Sequence, residues 1–169
     1  MLEVVVLLLF PLLMAYSAVS DLLTMTIANW ISLLLVGAFV VVAVVAGMPL
    51  SELLTNHLAC GSAVLVMTFT LFAFGWIGGG DAKLAAATAV WLGWQKMIEY
   101  GFEASAIGGA LTLAILIWRR YEMPPVLMRR VWIARLHSAT NGVPYGIALA
   151  VTGLILYPET WVWTSVAGS

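Results

Sequence analysis

Asp21 and Asp81 are the only two aspartates in this 169-residue chain, and Asp81 follows three consecutive glycines, Gly78-Gly79-Gly80. Both adjoin long apolar runs, where an ionisable side chain is costly and usually functional. Each also has a plain structural use, because Asp is a favoured N-cap: Asp21 would cap the short segment after it and Asp81 the helix after it. Three glycines are an expensive entry to a helix, and they suit a backbone that takes unusual angles or one that a substrate chain approaches. Two carboxylates brought together by helix packing cannot both ionise comfortably and so share a proton. Such a pair can hydrolyse a peptide bond. The ionised carboxylate takes a proton from the attacking water, while the protonated one hydrogen-bonds the carbonyl oxygen and helps protonate the leaving amine. The proton belongs to the pair, so neither role is assigned to one residue.

The elements that must position this pair are membrane helices. Hydrophobic residues make up 63% of the chain and charged ones 9%, outside the range of soluble globular domains. Long apolar runs without strand-like alternation indicate helices, the form that satisfies its own backbone in hydrocarbon. The expected fold is a single all-α integral membrane domain over residues 1–169 with about six transmembrane helices and no separate soluble domain. The first segment runs from Leu2 to Ser20; having Glu3 in place of a basic leader region, it reads as a retained helix, not a signal peptide. The second covers Trp30–Ala46, and Ser51–Asn56 form a polar connection to the third, His57–Ile77. The fourth begins at Ala82, reaches Trp94 and extends as far as Tyr100. Ala104–Trp118 form the fifth and Val143–Tyr157 the sixth. Ala85, Ala89 and Gly93, and again Gly142, Gly146 and Ala150, recur every four residues and give faces on which helix backbones pack closely.

Five of the seven basic residues, Arg119, Arg120, Arg129, Arg130 and Arg135, lie in the connection from Arg119 to Asn141. Basic residues favour cytoplasmic loops, so that connection faces the cytoplasm, as do those after the first and third helices, which carry Asp21 and Asp81. Both chain ends are then outside. Trp30, Trp76, Trp91, Trp94, Trp118, Trp161 and Trp163 lie near segment ends, as interfacial aromatics do.

Gly78-Gly79-Gly80-Asp81 fits the GxGD signature of intramembrane aspartyl proteases. Ser20-Asp21 followed by Ile27-Ala28-Asn29 resembles the first-aspartate motif of type IV prepilin leader peptidases. Asp81-Ala82-Lys83-Leu84 and Pro144-Tyr145-Gly146 resemble further motifs of that family, the latter opening its last helix. The similarity extends over nearly the whole chain, and the length resembles the short branch that serves Flp-type, tight-adherence pili. The resemblance implies an endopeptidase of the bacterial cytoplasmic (inner) membrane, multi-pass and with its site facing the cytoplasm. It would remove the basic leader of prepilins or pseudopilins just before their hydrophobic N-terminal helix, with Asp21 and Asp81 as the catalytic pair. The chain has Ile-Ala-Asn where the family often has Ile-Pro-Asn, and Leu22 to Thr26 lack the basic residues common there. It also lacks the paired cysteines of the members that methylate the new N-terminus, so peptidase activity without methylation is expected.

Around the pair, Gly78, Gly79 and Gly80 are expected to admit the peptide. Asn29 is expected to cap the second helix or to orient Asp21. Lys83 either snorkels to the interface or acts electrostatically on the pair. His57 and His137 fall on opposite sides of the membrane as interfacial polar residues, and one cysteine, Cys60, excludes an intrachain disulfide and reads as a buried small hydrophobe. No metal, cofactor or nucleic acid is expected; the partners are the substrate and the bilayer. Glu99 and Glu103 read as solvated loop charges. The arginines of Val126–Leu136 spread around a helical wheel, which favours a topology-setting, lipid-contacting loop over an amphipathic helix. Two other readings of the aspartates are a proton-coupled carrier, which lacks the internal repeats such proteins tend to show, and a scaffold without chemistry.

Overall fold

The structure, a computed structural model, describes residues 2–167; Met1 and Gly168–Ser169, which the expected outside placement of the chain ends concerns, and the Glu3 side chain lie outside the described residues. Every regular element described is helical: α1 (Leu2–Thr24), α2 (Asn29–Val45), α3 (Leu50–Ala73), α4 (Gly79–Trp118), α5 (Pro125–Met128), α6 (Val131–His137), α7 (Gly146–Leu156) and α8 (Trp161–Ala167), with a 3-10 turn at Tyr157–Glu159. Pro11 sits inside α1 without ending it. Four stretches are long and apolar enough to cross a membrane, Leu7–Thr24, Leu50–Ala73, Gly79–Trp118 and Gly146–Val166, and α2 is apolar but shorter.

The boundaries differ from the sequence reading in physically informative ways. Ser51–Asn56, expected as a connection, are helical, and Leu53–Leu58 form a π-helical turn. Segments four and five meet at Gly93, not at Gly101–Glu103, which are helical. A straight 40-residue helix would be about 60 Å long, twice the hydrocarbon thickness. Gly93 divides it, with φ 66° and ψ −179°. The π turn supplies the cap at this break: Asn56 Oδ1 accepts the Trp94 backbone N–H at 3.0 Å, and Trp94 Nε1 donates to the Thr55 carbonyl at 3.1 Å. A side chain at Gly93 would combine a left-handed φ with a Cβ 3.0 Å from Asn56 Oδ1.

The core lies around Trp91, which packs against Phe10, Phe39 and Tyr157 with ring centroids at 4.9, 5.4 and 6.0 Å. Expected at the interface, Trp91 is instead fully buried, and its indole N–H donates to the Leu35 carbonyl. His57 is likewise buried, donating from Nδ1 to the Val90 carbonyl. Cys60 is buried and free, as its apolar surroundings suggested. Ala85 and Ala89 of α4 and Ala148 and Ala150 of α7 are buried where those helices pack. Gly142 precedes α7 and takes no part in that face. Glu99 lies on a helix, not a loop, and pairs with Lys96, which also pairs with Glu159; Glu103 is helical too, with a buried, unpartnered Oε2. Leu33, Phe69, Ile98 and Phe102 are exposed, an apolar exterior suited to lipid. At one end of this bundle the last turn of α1 and the first turns of α4 and α7 converge.

Candidate active site

Asp21 belongs to the last turn of α1 and is buried. It therefore caps no following segment. Beyond it α1 ends at Thr24 because Met25 takes a left-handed conformation, φ 54°, with its N–H on the Asp21 carbonyl at 2.8 Å. Hydroxyls close the turn: Ser20 Oγ donates to the Thr26 carbonyl at 2.9 Å and Thr24 Oγ1 to the Ser20 carbonyl at 2.7 Å. The chain reverses, and Ile27 is buried next to the aspartate's helix.

Asp81 is the third residue of α4, whose N-cap is Gly78. Its carboxylate accepts the Gly78 backbone N–H, the return half of a capping box. Asp81 is therefore not the N-cap that its residue type suggested: that position is Gly78, and Asp81 lies inside the first turn. The glycines before it do not adopt unusual angles: Gly78 is extended, and none of Gly78, Gly79 and Gly80 has positive φ. Their use is space. A Cβ on Gly80 would stand 3.2 Å from Ile27 Cβ and 3.3 Å from its backbone nitrogen, so this glycine lets the α1–α2 turn lie against α4.

The third support comes from the start of α7. The Gly146 N–H donates to Asp21 Oδ2 at 2.8 Å, at the helix end whose dipole favours a negative group. A Cβ there would meet that oxygen at 2.8 Å and Ile27 Cδ1 at 2.6 Å. Tyr145, the preceding residue, lays its ring over Gly108 of α4, where a Cβ would be 2.2 Å from the ring, and its hydroxyl donates to the Ala104 carbonyl at 3.1 Å. Pro144 is buried beside them. Asp21 and Asp81, 60 positions apart in sequence, are brought to the same end of the bundle because Ile27 lies against both Gly80, the neighbour of Asp81, and Gly146, the partner of Asp21. Each aspartate is held by a glycine amide.

The other expected residues divide. Asn29 is the first residue of α2, whose N-cap is Ala28 without a side-chain bond, so Asn29 does not cap; its Oδ1 accepts from Lys83 Nζ at 2.8 Å. Lys83 accordingly reaches the α2 entrance. His57 lies in the π-helical turn near the start of α3, and His137 packs edge-on against Trp118 at 5.1 Å. The basic connection contains two short helices and is braced: Arg119 donates to the Leu136 and Gly142 carbonyls, and Arg135 donates to the Thr24 carbonyl at 2.8 Å. That last contact puts a cation at the negative end of α1. Ile27, as a spacer, and Gly108, as the seat of Tyr145, were not singled out from sequence. A glycine pair, Gly108-Gly109, inside a helical pattern was the one available signal for Gly108.

No curated protein and no solved structure matches the chain. A family model described as the type IV leader peptidase family matches residues 8–113, which include both aspartates and the glycine run and end before Pro144. With that match covering more than half of its length, this multi-pass membrane protein belongs to the type IV leader peptidase family.

Proposed function

We propose that the protein is an aspartyl endopeptidase that removes the leader of Flp-type prepilins or pseudopilins at the cytoplasmic face of the bacterial inner membrane. The observation that carries this reading is the approach of Asp21 and Asp81, one anchored by the Gly146 amide and the other by the Gly78 amide. With one proton between them, the ionised carboxylate draws a proton from water as it attacks the scissile carbonyl. The protonated one hydrogen-bonds the carbonyl oxygen, and the amine leaves with a proton returned by the pair. The arginine-rich connection supports the cytoplasmic orientation, and its Arg135 brace sits beside the turn after Asp21. The chain carries out hydrolysis only, without methylating the new N-terminus.

The test is co-expression with a candidate prepilin. Asp21→Asn and Asp81→Asn are each expected to abolish shortening of the substrate while the variants remain in the membrane at normal levels. Cleavage that survives either substitution removes that aspartate from the mechanism. Aspartate-dependent uptake into proteoliposomes, with no pilin cleaved, would establish a carrier instead.

A further inference from the structure

Of the five arginines between α4 and α7, Arg119 and Arg135 are engaged by carbonyls. Arg120, Arg129 and Arg130 are exposed and, among the described residues, make no ion pair. The connection holds a single acid, Glu122, which is exposed as well. Pro124 to Val131 form an unbroken exposed run, in which Val126 and Val131 are 72% and 70% exposed and Leu127 and Met128 stand out between them. Chain order sets apolar and cationic side chains side by side: Val126-Leu127-Met128 end α5, Arg129-Arg130 link it to α6, and Val131 opens α6. Because the two helices are separate, the single wheel that spreads these arginines around one axis does not apply. The surface lies at a membrane boundary. Arg120 is two residues beyond Trp118, where one apolar span ends, and Arg135 bonds the carbonyl of Thr24, where another ends.

We infer that this surface binds anionic phospholipid, with Arg120, Arg129 and Arg130 on the headgroup phosphates and Val126, Leu127, Met128 and Val131 in the interface, and that this anchorage steadies the supports of Asp21. Apolar area and cationic charge are the two contributions that hold a segment in the interface of an anionic bilayer. Neutral lipid would cover the apolar side chains and leave three arginines without a counter-charge. The basic leader implied for the substrate is repelled by the same charge. The consequence for the site runs through α6, which continues directly from Arg130. Its Arg135 donates to the Thr24 carbonyl, three residues after Asp21. Arg119 joins the Leu136 carbonyl to the Gly142 carbonyl, four residues before the Gly146 amide that holds Asp21. Asn141 Nδ2 closes the same link by donating to the Arg135 carbonyl at 2.9 Å. Once anchored by lipid, α6 is a strut between the two chain segments that fix one aspartate. The effect on catalysis rests on the peptidase reading; the lipid surface does not.

The full chain, reconstituted in phosphatidylcholine vesicles with or without phosphatidylglycerol, tests both parts. A fluorophore on Met128→Cys reads the lipid contact, since Cys60 is buried and stays unlabelled. Brominated acyl chains are expected to quench it at least about twofold more strongly when phosphatidylglycerol is present, and less so at high salt. Arg129→Gln combined with Arg130→Gln is expected to remove that difference. Equal quenching in both lipids, a difference that survives the double substitution, or a label unquenched in both, as on a surface kept for an acidic protein, would overturn the lipid assignment. Prepilin cleavage reads the effect on the site. In the parent, kcat/KM is expected to be at least about fivefold higher with phosphatidylglycerol. That response is expected to vanish in the double variant and in Arg135→Gln, although Arg135→Gln keeps the lipid-dependent quenching and so remains folded and anchored. A cleavage response that is the same in the parent and in either variant would overturn the link to Asp21. If the parent cleaves in neither lipid, the peptidase reading fails by itself, and quenching still decides what the surface binds.

Discussion

Gly146→Ala tests whether the α7 amide positions Asp21. Ordinary contact for a Cβ begins near 3.4 Å, whereas the added methyl would sit 2.8 Å from Asp21 Oδ2 and 3.2 Å from its Cγ. The carboxylate must therefore retreat by about 0.6 Å, and its 2.8 Å bond from the Gly146 N–H is broken or bent. Losing a hydrogen bond to a charged group costs about 1.5–3 kcal/mol, and a misplacement approaching 1 Å in a reacting group costs up to about a hundredfold in rate. Together they predict a fall in kcat of about 10- to 100-fold. Cleavage in reconstituted vesicles reads kcat, and a thermal melt in detergent checks folding. The methyl also meets Ile27 Cδ1 at 2.6 Å. Ile27→Val removes that atom, so the double variant separates the two clashes. A Gly146→Ala enzyme with kcat within twofold of the parent, or one fully restored by Ile27→Val, would refute positioning of Asp21 by this amide.

Gly93→Ala should destabilise the fold by about 1–2 kcal/mol, the cost of a left-handed conformation for an L residue, with further loss from crowding Asn56 Oδ1 at 3.0 Å; the midpoint of a detergent melt measures it, and an unshifted midpoint would mean that the chain at 93 relaxes freely. A pair that works with one shared proton should lose kcat/KM on both the acid and the alkaline side of an optimum. A rate that climbs with pH until the protein unfolds would point to one ionised carboxylate acting alone.

Asp21 and Asp81 were legible in the sequence because a charge in an apolar run is conspicuous whatever the tertiary structure. The reason for the glycines was not. Gly80 and Gly146 are needed where Ile27 and Asp21 press on backbone from another part of the chain, which local pattern does not encode. Gly93 misled in the opposite direction: set in an alanine-rich repeat it reads as a packing residue, yet it breaks α4 with positive φ. The more polar stretch at Gly101–Glu103 drew the boundary there, although a helix in contact with Glu159 through Lys96 can carry those charges. Trp91 read as interfacial because indoles gather at segment ends, but the Leu35 carbonyl satisfies its N–H inside the bundle. The arginines gave a topological argument and concealed a structural one, since two of the five brace the loop through carbonyls up to 112 residues away.

The support of the two aspartates explains a choice that charge pairing alone would not. Lys83 is the nearest cation in sequence to Asp81, yet its ammonium is engaged with the neutral Asn29 amide. An opposite charge against the pair would favour the ionised form of both carboxylates, and the shared proton that hydrolysis needs would be gone. Backbone amides give each carboxylate a donor and a fixed position without supplying a full charge. They reach the carboxylates only because glycine occupies positions 78 and 146, where even a methyl group would lie 2.8 Å from an aspartate oxygen. Glycine at these points is thus the means by which a membrane-embedded acid pair is held firmly while keeping a proton to exchange.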